Sequence, residues 1–212
     1  MNITHIIFDI DGTLLDTEDA VLLSLKDVIE ENKNQPADIN TLRFALGIPG
    51  PDALCRLGFD DPVYYNSRWE EKFKNYYDRI RVFDGIQTML TELRKQQYQL
   101  GIITSKNKKE FQADFVPFGL ADYFSTVICA EDTRRHKPFS EPMDKFLQLS
   151  GAKPDEAIYI GDTLYDLQCA KGAGVRFALA LWGCKAPEGI AADDFLEKPE
   201  DIFDRCLQKA AL

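Results

Sequence analysis

The chain has 212 residues, of which 45% are hydrophobic and 28% charged, a balance typical of a folded globular protein. Its formal net charge of −10 disfavours binding to a nucleic-acid backbone, and no basic stripe offsets that charge. No apolar run approaches the roughly 20 residues that cross a bilayer, and the N-terminus lacks a secretory signal, so we expect a cytoplasmic protein that uses neither membrane nor nucleic acid.

Short, apolar, β-branched segments recur along the chain and predict buried parallel strands. The first runs from Thr4 to Asp9, and similar segments follow at 100–104, 126–130, 157–161 and 175–181. Helical patterns separate them at 86–97 and 108–115, and Ser140 and Thr163 are suitable N-caps for two more helices. The acidic cluster at 193, 194, 197 and 200 is interpreted as solvated surface. The alternation predicts an α/β fold with a doubly wound parallel sheet.

The stretch from Leu15 to Arg81 interrupts this alternation. It contains no predicted strand, and helical patterns recur in it at 20–31, 39–46 and 63–80. Asp61 followed by Pro62 is typical of an N-cap and a first-turn proline. Because the stretch is too long for a simple crossover, we predict a helical cap domain over 15–81, inserted into a core domain formed by 1–14 and 82–212.

Two carboxylates follow the first predicted strand. Asp9 and Asp11 are two residues apart, so in an ideal strand they share a face, and Gly12 lets the chain turn sharply after them. Ligands of open parallel sheets bind outside the carboxyl ends of the strands. The pair therefore indicates a reactive site, in which one carboxylate attacks and the other transfers protons.

The chain resembles the phosphatase branch of the haloacid dehalogenase superfamily, whose signature is DxDGT. Four motifs match in order along most of the sequence. They are DIDGT at 9–13, Thr104 at the end of a predicted strand, Lys137 before a proline, and GDTLYD at 161–166. The resemblance implies a Rossmann-like core, and the family's small helical caps lie between the first and second motifs, where the insertion is predicted.

The resemblance also implies roles for these residues. Asp9 is expected to accept the phosphoryl group as an acyl phosphate, and Asp11 to protonate the leaving oxygen and then deprotonate water. Lys137 and Thr104 are expected to neutralise and bind the transferring oxygens. Further phosphate contacts are predicted for Gly12, Thr13 and Ser105. Lys106 is not assigned a catalytic role, because Lys137 already supplies the cation.

The expected cofactor is Mg²⁺, a hard cation that prefers oxygen ligands. Its predicted ligands are Asp9, the backbone carbonyl of Asp11, Asp162 and Asp166, the last two lying four residues apart at a helix start. Glu131 and Asp132 are interpreted either as groups that orient Lys137 or as a surface turn.

The cap is expected to select the substrate, a small phosphorylated metabolite such as a sugar phosphate or a phosphorylated acid. Gly47 and Ile48, in the predicted specificity loop 46–50, are candidate substrate contacts together with Arg43, and Arg56 is a further possibility. A phosphosugar mutase of the β-phosphoglucomutase type is an alternative. In that enzyme an arginine that holds a second phosphate stands about where this chain has Gly50.

An alternative from another class is a signalling receiver domain, which accepts phosphate on aspartate without turnover. Receiver domains lack a cap and carry the acceptor aspartate away from the first strand, whereas Asp9 follows the first strand here. A binding protein without catalysis is a third hypothesis, although every side chain that catalysis requires is present. We therefore predict a Mg²⁺-dependent phosphatase.

Overall fold

The computed structural model describes residues 3–33 and 35–207, and its main element is a parallel sheet. Eight strands occur in chain order: β1 (His5–Phe8), β2 (Leu15–Asp16), β3 (Arg81–Val82), β4 (Gln99–Ile103), β5 (Thr126–Ile128), β6 (Ala157–Gly161), β7 (Arg176–Ala180) and β8 (Asp194–Leu196). Six of them form one parallel sheet in the order β5-β4-β1-β6-β7-β8. The central position of β1 confirms the predicted doubly wound α/β fold.

The helices lie mainly between the strands and in the segment after β2. They are α1 (Glu18–Lys33), α2 (Ile39–Leu42), α3 (Gly50–Arg56), α4 (Pro62–Phe73), α5 (Ile86–Lys95), α6 (Lys108–Glu110), α7 (Glu141–Ser150), α8 (Leu164–Gly172) and α9 (Asp201–Arg205). Three predicted helices stop early and continue as tighter or wider turns, at Arg43–Ala45, Lys74–Arg79 and Phe111–Phe115. Helix α3 was not predicted, because it is short and begins with Gly50 and Pro51.

Helix caps follow the predictions at two positions and differ at a third. Asp61 accepts a hydrogen bond from the Tyr64 amide, and Thr163 caps α8. Ser140 occupies the N-cap position of α7, but its hydroxyl donates to the Asp144 carboxylate instead of capping the helix. The local backbone explains the difference, because Ser140 is itself helical, with φ −72° and ψ −15°, whereas capping side chains usually extend from the β region.

The sheet is buried on both faces, and the two faces contribute to separate apolar clusters. Ile6 and Phe8 of β1 pack into one cluster, and Ile7, which points the opposite way, packs into the other. Burial on both faces explains why the central strands are continuous apolar runs. Within the described residues, no helix combines the length and apolar character that crossing a bilayer requires.

The acidic cluster lies at the surface, as interpreted from the sequence, and its first two members also bind the edge strand β8 to its neighbour: Asp193, Glu197 and Glu200 are exposed and Asp194 is half-buried. Asp194 begins this strand, and its carboxylate lies 2.7 Å from Arg176. The Asp193 carboxylate accepts a hydrogen bond from the Phe177 amide at 2.8 Å. Only Leu196 of the three strand residues is buried, so the strand is too short to produce an alternating pattern in the sequence.

The segment 15–81 begins and ends in a two-stranded ribbon. Strands β2 and β3 pair antiparallel, with Leu15 opposite Val82 and Asp16 opposite Arg81, a feature that the sequence did not predict. The helices between them enclose a third cluster, whose buried members all lie between Leu22 and Trp69. A separate cap domain over 15–81 stays a prediction, which this packing supports.

Candidate active site

The first two acidic residues occupy a tight turn at the centre of the sheet. Asp9 directly follows β1, its amide donates to the Ile160 carbonyl at 2.9 Å, and its side chain is 2% exposed. Gly12 has φ +78°, a conformation that favours glycine, and its amide donates to the Leu15 carbonyl at 2.8 Å. Asp11, between them, has a side chain that is 21% exposed. The turn thus places one carboxylate in the interior and one at the edge of a cleft.

The adjacent strand β6 delivers a third carboxylate to the same place. Asp162 follows β6, and the Thr13 hydroxyl donates to its Oδ1 atom at 3.3 Å. A Cβ atom on Gly12 would overlap the Asp162 carboxylate. The structure therefore places Gly12 and Thr13 against Asp162 and outside the lining of the cleft, and the phosphate contacts expected for them stay a prediction.

Asp166 lies beside these groups but is already fully hydrogen-bonded. Its Oδ1 atom accepts from Lys137 at 2.7 Å and from the Tyr159 hydroxyl at 2.9 Å. Its Oδ2 atom accepts from the Thr163 amide at 3.1 Å and the Thr163 hydroxyl at 2.5 Å. A carboxylate has about four lone-pair sites, so these bonds use its capacity. The geometry gives Asp166 an anchoring role toward Lys137, and the metal-ligand role expected from the sequence stays a prediction.

Lys137 bridges two carboxylates in the interior of the site. Its ammonium nitrogen lies 3.0 Å from Asp9 Oδ1 and 2.7 Å from Asp166 Oδ1. Burial alone would lower the pKa of Lys137, but the nearby carboxylates of Asp166 and Asp9 raise it above its ordinary value. The lysine therefore stays charged and holds the inner oxygen of Asp9.

The other oxygen of Asp9 is free to bind a ligand. This buried Oδ2 atom has no hydrogen-bond partner among residues 3–33 and 35–207. Burial raises the pKa of Asp9 to about 7; Lys137 opposes the rise, and Asp166 and Asp11 add to it. Burial also raises the pKa of Asp162 well above its ordinary value. Since oxygens of Asp9, Asp162 and Asp166 lie within 4.8 Å of one another, this set fits a hard divalent cation.

The residues of the second motif make local hydrogen bonds and one contact with segment 15–81. Thr104 follows β4 and is 4% exposed, and its hydroxyl oxygen accepts from the Lys106 amide at 3.2 Å. Ser105 donates its hydroxyl to the Gly47 carbonyl at 2.8 Å. The Ser105 hydroxyl, expected to contact phosphate, is therefore engaged in holding the loop around Gly47.

These residues open onto a cleft of about 90 Å³ between the sheet edge and the helices of segment 15–81. Gly47 and Ile48, the candidate substrate contacts, line it. Arg43 does not line it, because its guanidinium pairs with Glu18. The other lining residues are Asp9, Asp11, Val21, Ala45, Leu46, Gly50, Asn66, Trp69, Glu70, Phe73, Ser105, Lys106, Glu110, Asp114 and Lys137.

Lys106 is the main residue that sequence reasoning passed over. Its ammonium nitrogen lies 3.2 Å from Asp11 Oδ1 and 3.6 Å from Asp114 Oδ2. The Tyr77 hydroxyl donates to Asp114 Oδ1 at 2.6 Å. Burial alone would lower the pKa of Lys106, but Asp11 and Asp114 raise it. The sequence offered one indication of this role: Lys106 follows Thr104 by two residues, and Thr104 ends the strand of the second motif, whose carboxyl end faces the site.

The two acids considered as partners of Lys137 have other partners. Glu131 accepts a hydrogen bond from the Lys108 amide at 2.7 Å, and Asp132 lies 2.7 Å from the Lys108 ammonium nitrogen. Asp132 also accepts from the Cys129 amide. Both belong to the turn after β5, which favours the surface-turn interpretation.

Comparisons with known proteins agree with the fold and the motif order. The family profile of haloacid dehalogenase-like hydrolases matches residues 6–180. A pyrophosphatase PpaX from Bacillus cereus is 28% identical over 208 residues, which cover 96% of each chain. A crystal structure from Lactobacillus plantarum, provisionally named a phosphoglycolate phosphatase, superposes with a TM-score of 0.88 at 26% identity, covering 96% of this chain and 99% of the other.

A third neighbour shares the fold at lower identity. The structure of CbbY from Rhodobacter sphaeroides in complex with phosphate superposes with a TM-score of 0.79 at 19% identity, covering 94% of this chain and 96% of the other. The matched family profile begins within β1, ends with β7 and includes all four sequence motifs. The chain therefore belongs to the haloacid dehalogenase-like hydrolases.

Proposed function

We propose that the protein is a Mg²⁺-dependent phosphatase that hydrolyses small phosphate monoesters through an aspartyl-phosphate intermediate. The observation that carries this proposal is the state of Asp9. One of its carboxylate oxygens is held by Lys137 at 3.0 Å, and the other is buried without a hydrogen-bond partner among the described residues. A fixed carboxylate with one available oxygen facing a cleft is suited to nucleophilic attack.

In the first half-reaction, Asp9 forms a bond to phosphorus while the bond between phosphorus and the ester oxygen breaks. Asp11, at the cleft edge, donates a proton to that leaving oxygen. In the second half-reaction, Asp11 takes a proton from water, whose oxygen attacks phosphorus. Inorganic phosphate leaves and Asp9 is regenerated.

The remaining residues orient these two carboxylates. Lys137 offsets the negative charge near Asp9, and Asp166 fixes Lys137 through the 2.7 Å ion pair. Asp9, Asp162 and the Asp11 carbonyl would hold Mg²⁺, which when bound supplies positive charge next to the phosphoryl oxygens. The donor set, which consists of oxygens only, fits such an ion.

We further propose that residues 15–81 act as a cap that excludes water from the cleft. The hydrogen bond from Ser105 to the Gly47 carbonyl, together with the apolar side chains of Trp69 and Phe73 along the cleft, supports this role. The names of the related pyrophosphatase and phosphoglycolate phosphatase support a small phosphorylated substrate.

Trapping of the intermediate tests the proposal. The protein is mixed with an aryl phosphate in the presence of Mg²⁺ and quenched with acid, and we expect a phosphoprotein that hydroxylamine cleaves, as an acyl phosphate requires. Asp9→Asn should abolish it. Steady turnover by Asp9→Asn would refute the covalent mechanism.

A further inference from the structure

The walls of the cleft beyond Asp9 and Asp11 are acidic. Three further carboxylates line them, from Glu70 on α4, Glu110 on α6 and Asp114 in the turn that follows. The reacting phosphate lies at Asp9, so these acids surround the space left for the leaving group. Glu70 pairs with Lys109 and Asp114 with Lys106, but Lys106 is shared with Asp11, so a net negative charge remains around the leaving-group space.

Each cation that lines the cleft is already paired with carboxylates, within the part of the chain that the structure describes. The two lining cations are Lys137 and Lys106. Lys137 contacts Asp9 and Asp166, and Lys106 lies between Asp11 and Asp114. Among the described residues that line the cleft, no lysine or arginine without a carboxylate partner is left to accept a second anionic group of a substrate.

The basic residues nearest to this space point elsewhere. Lys109 pairs with Glu70 at 2.6 Å, at the outer side of the cleft. Arg43 pairs with Glu18, and the Arg56 guanidinium donates to the Tyr165 hydroxyl at 3.1 Å. None of these three residues lines the cleft. The arginine that would bind a distal phosphate is also missing at Gly50.

The acidic side chains are held in place by hydrogen bonds. Asn66, which is 7% exposed, donates to Glu70 Oε1 at 3.1 Å. Glu110 accepts from the Asn107 amide at 2.8 Å in a capping box. Carboxylates fixed in this way cannot rotate away from an approaching anion, whereas hydroxyl or ammonium donors on a substrate are compatible with them.

We infer that the physiological substrate is a phosphate monoester whose leaving alcohol carries no second negative charge, being a polyol or an amino alcohol. The basis is the juxtaposition of three fixed carboxylates with two fully paired lysines around the leaving-group space. This inference rests on the proposed phosphatase function. It separates the chain from relatives whose names imply anionic leaving groups.

Competition among four small substrates tests the inference. Glycerol phosphate has a neutral leaving group and phosphoethanolamine a cationic one, whereas phosphoglycolate and pyrophosphate have anionic ones. At constant free Mg²⁺, we expect kcat/KM for the better of the first two to exceed that for either anionic substrate by at least about tenfold, as one unfavourable charge contact implies. A higher kcat/KM for phosphoglycolate or pyrophosphate would overturn the inference.

A pair of adjacent glutamates provides matched variants. Glu70→Gln removes a cleft carboxylate and releases Lys109, so it should raise kcat/KM for phosphoglycolate relative to glycerol phosphate by about threefold to tenfold. Glu71→Gln is the control, because Glu71 pairs with Arg68 and does not line the cleft. Equal ratios in the two variants would also overturn the inference.

The same panel separates this inference from the proposed function. An aryl phosphate, whose leaving group is uncharged, is measured in parallel. If it is hydrolysed while an anionic substrate is preferred, only the substrate inference fails. If neither the aryl phosphate nor any member of the panel is hydrolysed, the proposed phosphatase function fails as well.

Discussion

The ammonium nitrogen of Lys106 lies 3.2 Å from Asp11 Oδ1, so the proposed proton-transfer group is held by a buried lysine. The same lysine lies 3.6 Å from Oδ2 of Asp114, which is 8% exposed. Lys106 therefore links the acid at the cleft edge to an acid in the cleft wall. Removing it changes both the position of Asp11 and the charge balance of the interior.

Lys106→Met should lower kcat and also destabilise the fold. Asp114 would lose its cation, and a buried charged group without its partner costs more than the roughly 1–3 kcal/mol of an unsatisfied polar group. Urea unfolding should show this loss. Adding Asp114→Asn to Lys106→Met should recover stability but not kcat, because Asp11 still lacks its partner. Full recovery of kcat in the double variant would contradict a positioning role for Lys106.

The two carboxylates of the first motif should fail in different ways. Asp9→Asn should abolish the phosphoenzyme, because an amide is a poor nucleophile. Asp11→Asn should slow turnover by about 10² to 10⁴-fold, the usual contribution of general acid and base catalysis. An aryl phosphate with a good leaving group should partly relieve the defect of Asp11→Asn in phosphoenzyme formation. Rapid-quench measurements distinguish the two, and identical defects would contradict the division of roles.

Asp162 and Asp166 should separate metal binding from anchoring. Asp162→Ala should abolish turnover and weaken the binding of Mg²⁺. It should not lower the stability of the metal-free protein, because the substitution removes one of several carboxylates that lie close together. Asp166→Ala should destabilise it by about 3–5 kcal/mol, since Lys137 is buried and loses a close partner. Asp155→Ala, at an exposed turn, is the control for both measurements. A similar loss of Mg²⁺ affinity without loss of stability in Asp166→Ala would support its predicted role as a ligand and contradict the anchoring role.

Binding of Mg²⁺ should release protons near neutral pH. The raised pKa of Asp9, about 7, means that the metal-free site holds a proton below that pH. The folded pKa lies above the unfolded one, so the metal-free protein should lose stability as pH rises from about 4 through 7, and Mg²⁺ should oppose that loss. Calorimetry at pH 6 in two buffers of different ionisation enthalpy measures the release. Equal apparent enthalpies in both buffers would contradict it.

Loss of the Ser105 side chain should lower kcat/KM more than loss of the Arg43 side chain. Ser105→Ala removes the hydrogen bond to the Gly47 carbonyl, and its loss should reduce kcat/KM by about twofold to tenfold on every substrate, as one hydrogen bond implies. Arg43→Ala should change kcat/KM by less than about twofold, because Arg43 pairs with Glu18 outside the cleft. A change in substrate ranking by Arg43→Ala would restore its predicted role in specificity.

The sequence predicted the parts of the site that depend on local chain geometry. Asp9 and Asp162 follow central strands, and the carboxyl ends of neighbouring parallel strands must meet, so apolar runs ending in acids were sufficient. The partners of Asp166 were not predictable in this way. Its contact with Tyr159 depends on side-chain packing within the sheet. An aspartate at this position of the motif looks the same in the sequence whether it binds a metal or anchors a buried lysine.

Residues in the second half of the site were missed for a related reason. Lys106 and Asp114 lie eight positions apart, and nothing local links them to Asp11. Their meeting depends on how β4 and the following irregular helix pack beside β1. The position of Arg43 near the specificity loop suggested a substrate contact, which stays a prediction, but it did not reveal the Glu18 carboxylate that pairs with its guanidinium.

The ribbon of β2 and β3 has a consequence for how this chain can vary. Because Leu15 lies opposite Val82, the segment between them leaves and re-enters the sheet region at adjacent points. Because the two ends of this segment are adjacent, a segment of another length or fold can be inserted between them without separating β2 from β3. We therefore expect a chimaera in which residues 17–80 are exchanged for the corresponding segment of a relative to retain the sheet and its acidic residues, so that new substrate ranges can arise by recombination at this ribbon.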